Sequence, residues 1–103
     1  MLKKNDHGEA AAEFYDKRRQ WLDYVCERDS ISDRAFRIGY FLAKRMNGKD
    51  QCCWYTHKQI ADRLSISVAT VARGIAELRD EGVMIVVDNH RSPNVYYIRL
   101  PYL

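Results

Sequence analysis

Ser67, Thr70 and Arg73 lie close together in the stretch SISVATVARGIAEL, with Val68 and Ala69 among them. Hydroxyls can donate to an anionic oxygen, and a guanidinium presents a rigid fork of donors matched to paired acceptors. That is the chemistry of recognition and not of bond-making. Upstream, Thr56, His57 and Lys58 bring a hydroxyl, an imidazole and an ammonium; downstream, Asn89, His90 and Arg91 share a polar loop. Catalytic and metal-binding arrangements fare worse. Cys26, Cys52, Cys53, His7, His57 and His90 include no C-x-x-C or H-x-x-x-H spacing, and adjacent cysteines on a strand point to opposite faces, which defeats a four-ligand zinc site. There is no glycine-rich phosphate loop, nucleophile elbow or carboxylate pair in a recognisable setting. The expectation is a non-enzyme with no metal, cofactor or small-molecule ligand.

These side chains need elements to hold them. Thr56 followed three residues later by Gln59 has the form of a capping box, so a helix begins near His57, with Ile60, Ala61 and Leu64 on its apolar face. Ser65-Ile66-Ser67 is too short for a flexible loop, and Ile66 can turn inward. Ser67 suits the N-cap of a second helix, whose inward stripe is Val71, Ile75 and Leu78. Ala72, Gly74 and Ala76 are small enough to admit a neighbouring helix, and Gly82 suits the left-handed residue that closes the element. Two short helices joined by a tight turn describe a helix-turn-helix; an ordinary helical hairpin in a core has the same outline.

Trp54, Thr56, Ile60-Ala61, Leu64, Ser67, Thr70-Val71, Ile75, Leu78 and Gly82 fall in a register that resembles the bacterial winged helix-turn-helix domains of transcription regulators and of plasmid and phage replication proteins. Their pattern runs roughly W-x-S/T-x-x-x-L-A-x-x-L-x-V-S-x-x-T-V-x-x-x-I-x-x-L-x-x-x-G. Ser65 stands where that family usually has glycine, and a left-handed non-glycine residue costs about 1 kcal/mol. Val68 and Ala69 stand where polar or basic residues are common. The resemblance implies a mainly α fold with a small β-hairpin wing and an extra N-terminal helix, binding double-stranded DNA.

On that reading the second helix enters the major groove with Ser67, Val68, Ala69, Thr70, Ala72 and Arg73 free of the core. Arg73 is placed for a bidentate contact with guanine, Ser67 and Thr70 for phosphate, and Val68 and Ala69 for a thymine methyl. Thr56, His57 and Lys58 become backbone contacts, and Asn89, His90 and Arg91 reach from the wing. Blander uses compete: local capping for Ser67, a protein interface for Val68 and Ala69, plain solvation for Arg91. The alternative function is a winged-helix protein–protein interaction module without DNA binding.

The rest of the chain supplies support. Residues 1–8 read as a disordered tail, and residues 9–29 as a helix with Phe14, Trp21 and Val25 on one stripe, Tyr15, Leu22 and Cys26 beside it, and Arg18 interrupting. That stripe packs inside the chain, pairs with a second copy as a homodimer, or does both. Residues 30–103 form the winged domain. Ser30, in capping-box spacing with Asp33, or Ser32 starts the next helix, which runs from Arg34 to about Met46 and is apolar over more than half its surface; Asn47-Gly48 ends it. Cys52–Tyr55 reads as a strand, and Val83–Val87 and Val95–Leu100 as a hairpin with a polar tip at 88–94.

The 103 residues suffice for one core, and 17 basic against 14 acidic side chains leave a formal charge of +3. The excess is local: residues 30–55 hold five basic and two acidic side chains. The N-terminus lacks the apolar segment of a secretory signal, no run is long enough to span a bilayer, and three cysteines make a poor disulfide framework, so a cytoplasmic protein is expected, with no membrane partner. Pro101-Tyr102-Leu103 ends without an element, as expected of a piece of a longer protein.

Overall fold

The computed structural model describes residues 2–90 and 93–103, with side chains from residue 8 onward. In chain order it comprises helices α1 (Leu2–Cys26) and α2 (Asp33–Lys44), strand β1 (Cys53–Tyr55), helices α3 (His57–Leu64) and α4 (Val68–Asp80), and strands β2 (Met84–Val87) and β3 (Asn94–Ile98). The strands form one antiparallel sheet in the order β1-β3-β2, so the short strand ahead of α3 pairs with the hairpin. The result is a winged helix-turn-helix.

One helix start differs from expectation, and at another the structure selects one of the two caps read from the sequence. Helix α1 begins at Leu2, so residues 2–8 of the stretch read as a disordered tail are helical. Gly8 lies within it, and a glycine in a helix interior costs only about 1 kcal/mol relative to alanine, too little by itself to end the element. Helix α2 is capped by Ser32, whose Oγ accepts from the Ala35 amide at 3.1 Å. Ser30, the capping-box candidate, instead donates its hydroxyl to Glu81 at 2.7 Å. Ser32 also bonds through its amide and hydroxyl to the Glu77 carboxylate, tying the start of α2 to α4. The far end stops at Lys44, two residues early, and Asn47 Oδ1 accepts from the Lys49 and Asp50 amides to turn the chain.

The core is one cluster drawn from every element. Phe14, Trp21 and Val25 of α1 are buried in it, and Trp21 Nε1 donates to the Val83 carbonyl at 2.7 Å. The same carbonyl accepts from the Arg99 amide at 2.9 Å, so α1 is tied to the base of the sheet. Arg18 does not break the seam, because its Nη1 donates to the Met46 carbonyl at 2.9 Å. Phe14, Trp21 and Val25 are therefore covered by their own chain, while Tyr15 and Cys26 beside them are exposed. Helices α2 and α4 cross closely at Gly74, where a Cβ would lie 2.4 Å from Ile38 Cδ1. No helix among the described residues is long and apolar enough to cross a membrane.

Candidate nucleic-acid interface

The helix-turn-helix forms because its polar caps and apolar contacts agree. Thr56 Oγ1 accepts from the Gln59 amide at 3.0 Å while Gln59 Oε1 accepts from the Thr56 amide at 2.9 Å, a complete capping box. After Leu64 the chain reverses through Ser65, held left-handed at φ 57° and ψ 48°. Ala61 O accepts from the amides of both Ser65 and Ile66, and half-buried Ile66 pins the turn to the core. Ser67 then caps α4 through its Oγ, which accepts from the Thr70 amide at 3.0 Å.

Helix α4 buries Val71, Gly74, Ile75 and Leu78 and turns its other side outward. Val68 is 48% exposed, Ala69 and Arg73 are exposed, and Ala72 and Ala76 are half-buried. The outward side is not covered by the chain's own residues. It is smooth, with Arg73 as its long polar side chain near the N-terminal half, the half a groove-bound helix offers to base edges.

Thr70 departs from the sequence reading. It is buried, and its Oγ1 accepts from the Ser67 hydroxyl at 2.8 Å and from Arg73 Nη2 at 3.4 Å. A helical side chain leans back over the turn before it, so a hydroxyl three residues after the cap meets the cap. Neither hydroxyl is thus set up to reach outward: Ser67 is engaged as a cap, and Thr70 positions Arg73.

Arg73 borders a groove of about 690 Å³ between α4 and the start of α2, which also holds Arg34 and Arg37 with Asp33 and Glu77. Arg37 Nη2 donates to the Leu64 carbonyl at 2.9 Å, closing the C-terminal end of α3. Glu77 is occupied by Ser32. Arg34 makes no ion pair among the described residues, and it stands exposed. Sequence reasoning saw the local charge excess of residues 30–55 without joining Arg34 and Arg37 to Arg73, from which they are separated by more than thirty residues. The fold brings the three guanidinium groups to one groove beside the outward face of α4.

The other expected contacts are placed unevenly. Lys58 is exposed and pairs with Asp62 at 3.1 Å, a surface pair of little strength that leaves the ammonium available. Thr56 is exposed. His57 is half-buried beside Thr56, Pro93 and Asn94, and its Nε2 is buried with no hydrogen-bond partner among the described residues. It props the wing against α3 and does not face outward through that nitrogen. In the wing Asn89 is exposed but uses its Nδ2 to donate to the Pro93 carbonyl at 3.3 Å, and its amide donates to Asn94 Oδ1 at 3.2 Å. His90 is exposed in the turn, and Arg91 lies outside the described residues.

No curated protein matches the chain. A family model described as a helix-turn-helix domain matches residues 29–84, from the approach to α2 through α3 and α4 to the first residue of β2. That span covers more than half the chain and contains both arms of the groove. The chain belongs to this helix-turn-helix domain family, whose fold is one for binding DNA.

Proposed function

We propose that the chain binds double-stranded DNA sequence-specifically through α4, and serves transcriptional regulation or the control of plasmid or phage replication. One observation carries the reading: the outer side of α4 is open to solvent and flanked by Arg73, Arg34 and Arg37. A helix laid in the major groove between two phosphate strands needs an uncrowded face and cations at its margin. Val68, Ala69 and Arg73 then border the bases, with Ser67 capping the helix and Thr70 behind Arg73. Arg34, Arg37, Lys58 and Thr56 meet the backbone, and Asn89, His90 and Arg91 approach from the wing. Few base-reading side chains are on offer, so DNA shape contributes to selectivity. The role is that of a binding module and not an enzyme, working in the cytoplasm where the DNA is.

Selection from a random duplex pool tests the reading, followed by a salt titration of the selected site. Each phosphate neutralised contributes about −0.9 to the slope of log affinity against log salt, and a slope of roughly −3 or steeper is expected. Replacing Arg73 by alanine should cost about 1–3 kcal/mol of binding and relax preference at one position. An Arg73→Ala protein with unchanged affinity and unchanged preference would refute the docking.

A second reading has one observation in its favour: Val68, Ala69, Ala72 and Ala76 make the outer side of α4 unusually apolar. As a protein-contact module, the domain would bind no duplex even at low salt.

A further inference from the structure

We propose that a band of cations along α2, joined by Arg63 of α3, holds the sugar-phosphate backbone of the duplex beyond the stretch that α4 reads; the inference rests on the DNA reading above. From residue 34 to residue 45 the chain places Arg34, Arg37, Lys44 and Arg45 and no carboxylate. Intervals of three, four and four put positions 34, 37, 41 and 45 on one face of a helix. Position 41 is Phe41, only 5% exposed, and its ring is the floor of the band. The Arg45 guanidinium lies 3.9 Å from the centre of that ring and the Arg63 guanidinium 5.5 Å from it. Two elements distant in sequence thus deliver like charges to one ring. All five cations are exposed, and among the described residues none of them is in an ion pair. Asp62, next to Arg63, is taken by Lys58, and Asp50, which borders a pocket with Arg45, accepts from the Asn47 side chain.

The charge, the geometry and the position of the band select its occupant. Like charges gathered without a counter-charge repel, and the face of the Phe41 ring offsets only part of that, so an anion laid along the band is attracted by every member. Arg37 spends one donor on the Leu64 carbonyl at 2.9 Å and Arg45 one on the Phe41 carbonyl at 3.3 Å, so most of each fork stays open while the side chain is already held in place. Guanidinium forks match phosphate oxygens in pairs. From Arg34 to Arg45 the band runs about 16 Å at 1.5 Å per residue. One strand of duplex DNA carries a phosphate every ~3.4 Å of axis, so this length corresponds to about five of them. The band is also continuous with the groove beside α4. Arg37 lines that groove with Arg34 and Arg73, and through the Leu64 carbonyl it reaches the neighbour of Arg63. A duplex leaving the outer side of α4 past Arg73 therefore meets Arg34 and Arg37 first, then Arg63 and Arg45. Contacts of this kind orient the duplex and add affinity without reading bases.

Salt titration of an Arg45→Gln, Arg63→Gln chain against the selected duplex, extended at both ends, tests the proposal. Losing two phosphate contacts should make the slope of log affinity against log salt shallower by about 1.8, which amounts to about 60-fold in affinity at 0.1 M salt when the two lines meet at 1 M. Preference at every base position should stay that of the wild type, in contrast to Arg73→Ala. An Arg45→Lys, Arg63→Lys chain keeps the charge and should recover most of the slope, which a role limited to packing on Phe41 would not allow. Should the glutamine pair fold poorly, the DNA supplies the same measurement: uncharged methylphosphonate linkages in the flanks should weaken binding of the wild-type chain and leave its base preference intact. A wild-type chain that binds no duplex at low salt overturns the DNA reading and this proposal with it. A wild-type chain that binds the selected duplex, with the glutamine pair matching its slope or with neutral flanks leaving its affinity unchanged, overturns the band alone.

Discussion

Two apolar surfaces of this chain look alike as sequence and end differently as structure. Helix α1 carries Phe14, Trp21 and Val25 at helical spacing with charged residues on the other side, so one partner surface satisfies it, and α2 with the base of the sheet provides that surface. Strand β2 and its neighbours in β1 and β3 are apolar on both sides, so the same core satisfies only half of what they present. Periodicity tells how many faces an element needs covered. It does not tell which of them the chain itself will reach.

The sharpest way to break that contrast is to remove one tryptophan from each surface. Trp21→Ala should destabilise the fold by about 3–5 kcal/mol, as expected for emptying a fully buried aromatic site. The loss of its bond to Val83 loosens α1 as well. Trp54→Ala, on the open face, should stay within about 0.5 kcal/mol of the parent. Urea unfolding followed by circular dichroism measures both. Equal losses at the two positions would mean that the sheet's outer face is already covered within the chain.

Titration separates the two sides of the sheet itself. Burial pushes the Cys53 thiol up from 9.0 to about 12, with the neighbouring Cys52 adding to the rise and Arg45 opposing it. Burial likewise pushes the Tyr96 phenol up from 10.0 to about 12. Between about pH 9 and 12 the unfolded chain has released protons that the folded chain still holds. The stability these groups contribute is therefore full below pH 9 and falls as pH rises toward 12, by up to roughly 1.4 kcal/mol per pH unit for each group. Urea midpoints between pH 8 and pH 11 should drop accordingly, and Cys53→Ala should flatten the first part of the decline. In the folded protein at pH 8, exposed Cys26 and half-buried Cys52 should react with an alkylating reagent well before Cys53 does.

Much of the fold was legible because several independent signals coincided between residues 56 and 82. The Thr56–Gln59 box, the Ser67 cap, the Val71-Ile75-Leu78 stripe and left-handed Gly82 are all in the structure as read. Ser65 also adopts the left-handed geometry that a glycine would hold more easily, so the pattern of the turn prevailed over a local preference. The site was less legible. Thr70 looked free in one dimension, and only the packing of α4 against α2 shows that it faces inward. The Arg34–Arg37–Arg73 groove depends on the same crossing, permitted by Gly74, and no spacing rule within either helix encodes it. Gln51, also left-handed at φ 56°, carried no sequence signal.

The smallest expected effect is the most discriminating for the sheet. Ile85→Thr with Val87→Thr keeps both positions β-branched, so strand propensity is retained while two methyl-bearing surfaces become hydroxyls. On a face open to water, such a change should alter stability by no more than about 0.5 kcal/mol, read by thermal unfolding. The same change on the inner face, such as Ile98→Thr, should cost several times more, because a hydroxyl would be buried without a partner. A double threonine variant that matches the parent in stability would place Ile85 and Val87 where the contrast with α1 requires them, outside the core. If instead it unfolds as readily as the inner variant, Ile85 and Val87 belong to the chain's own core, and the distinction between the two apolar surfaces disappears.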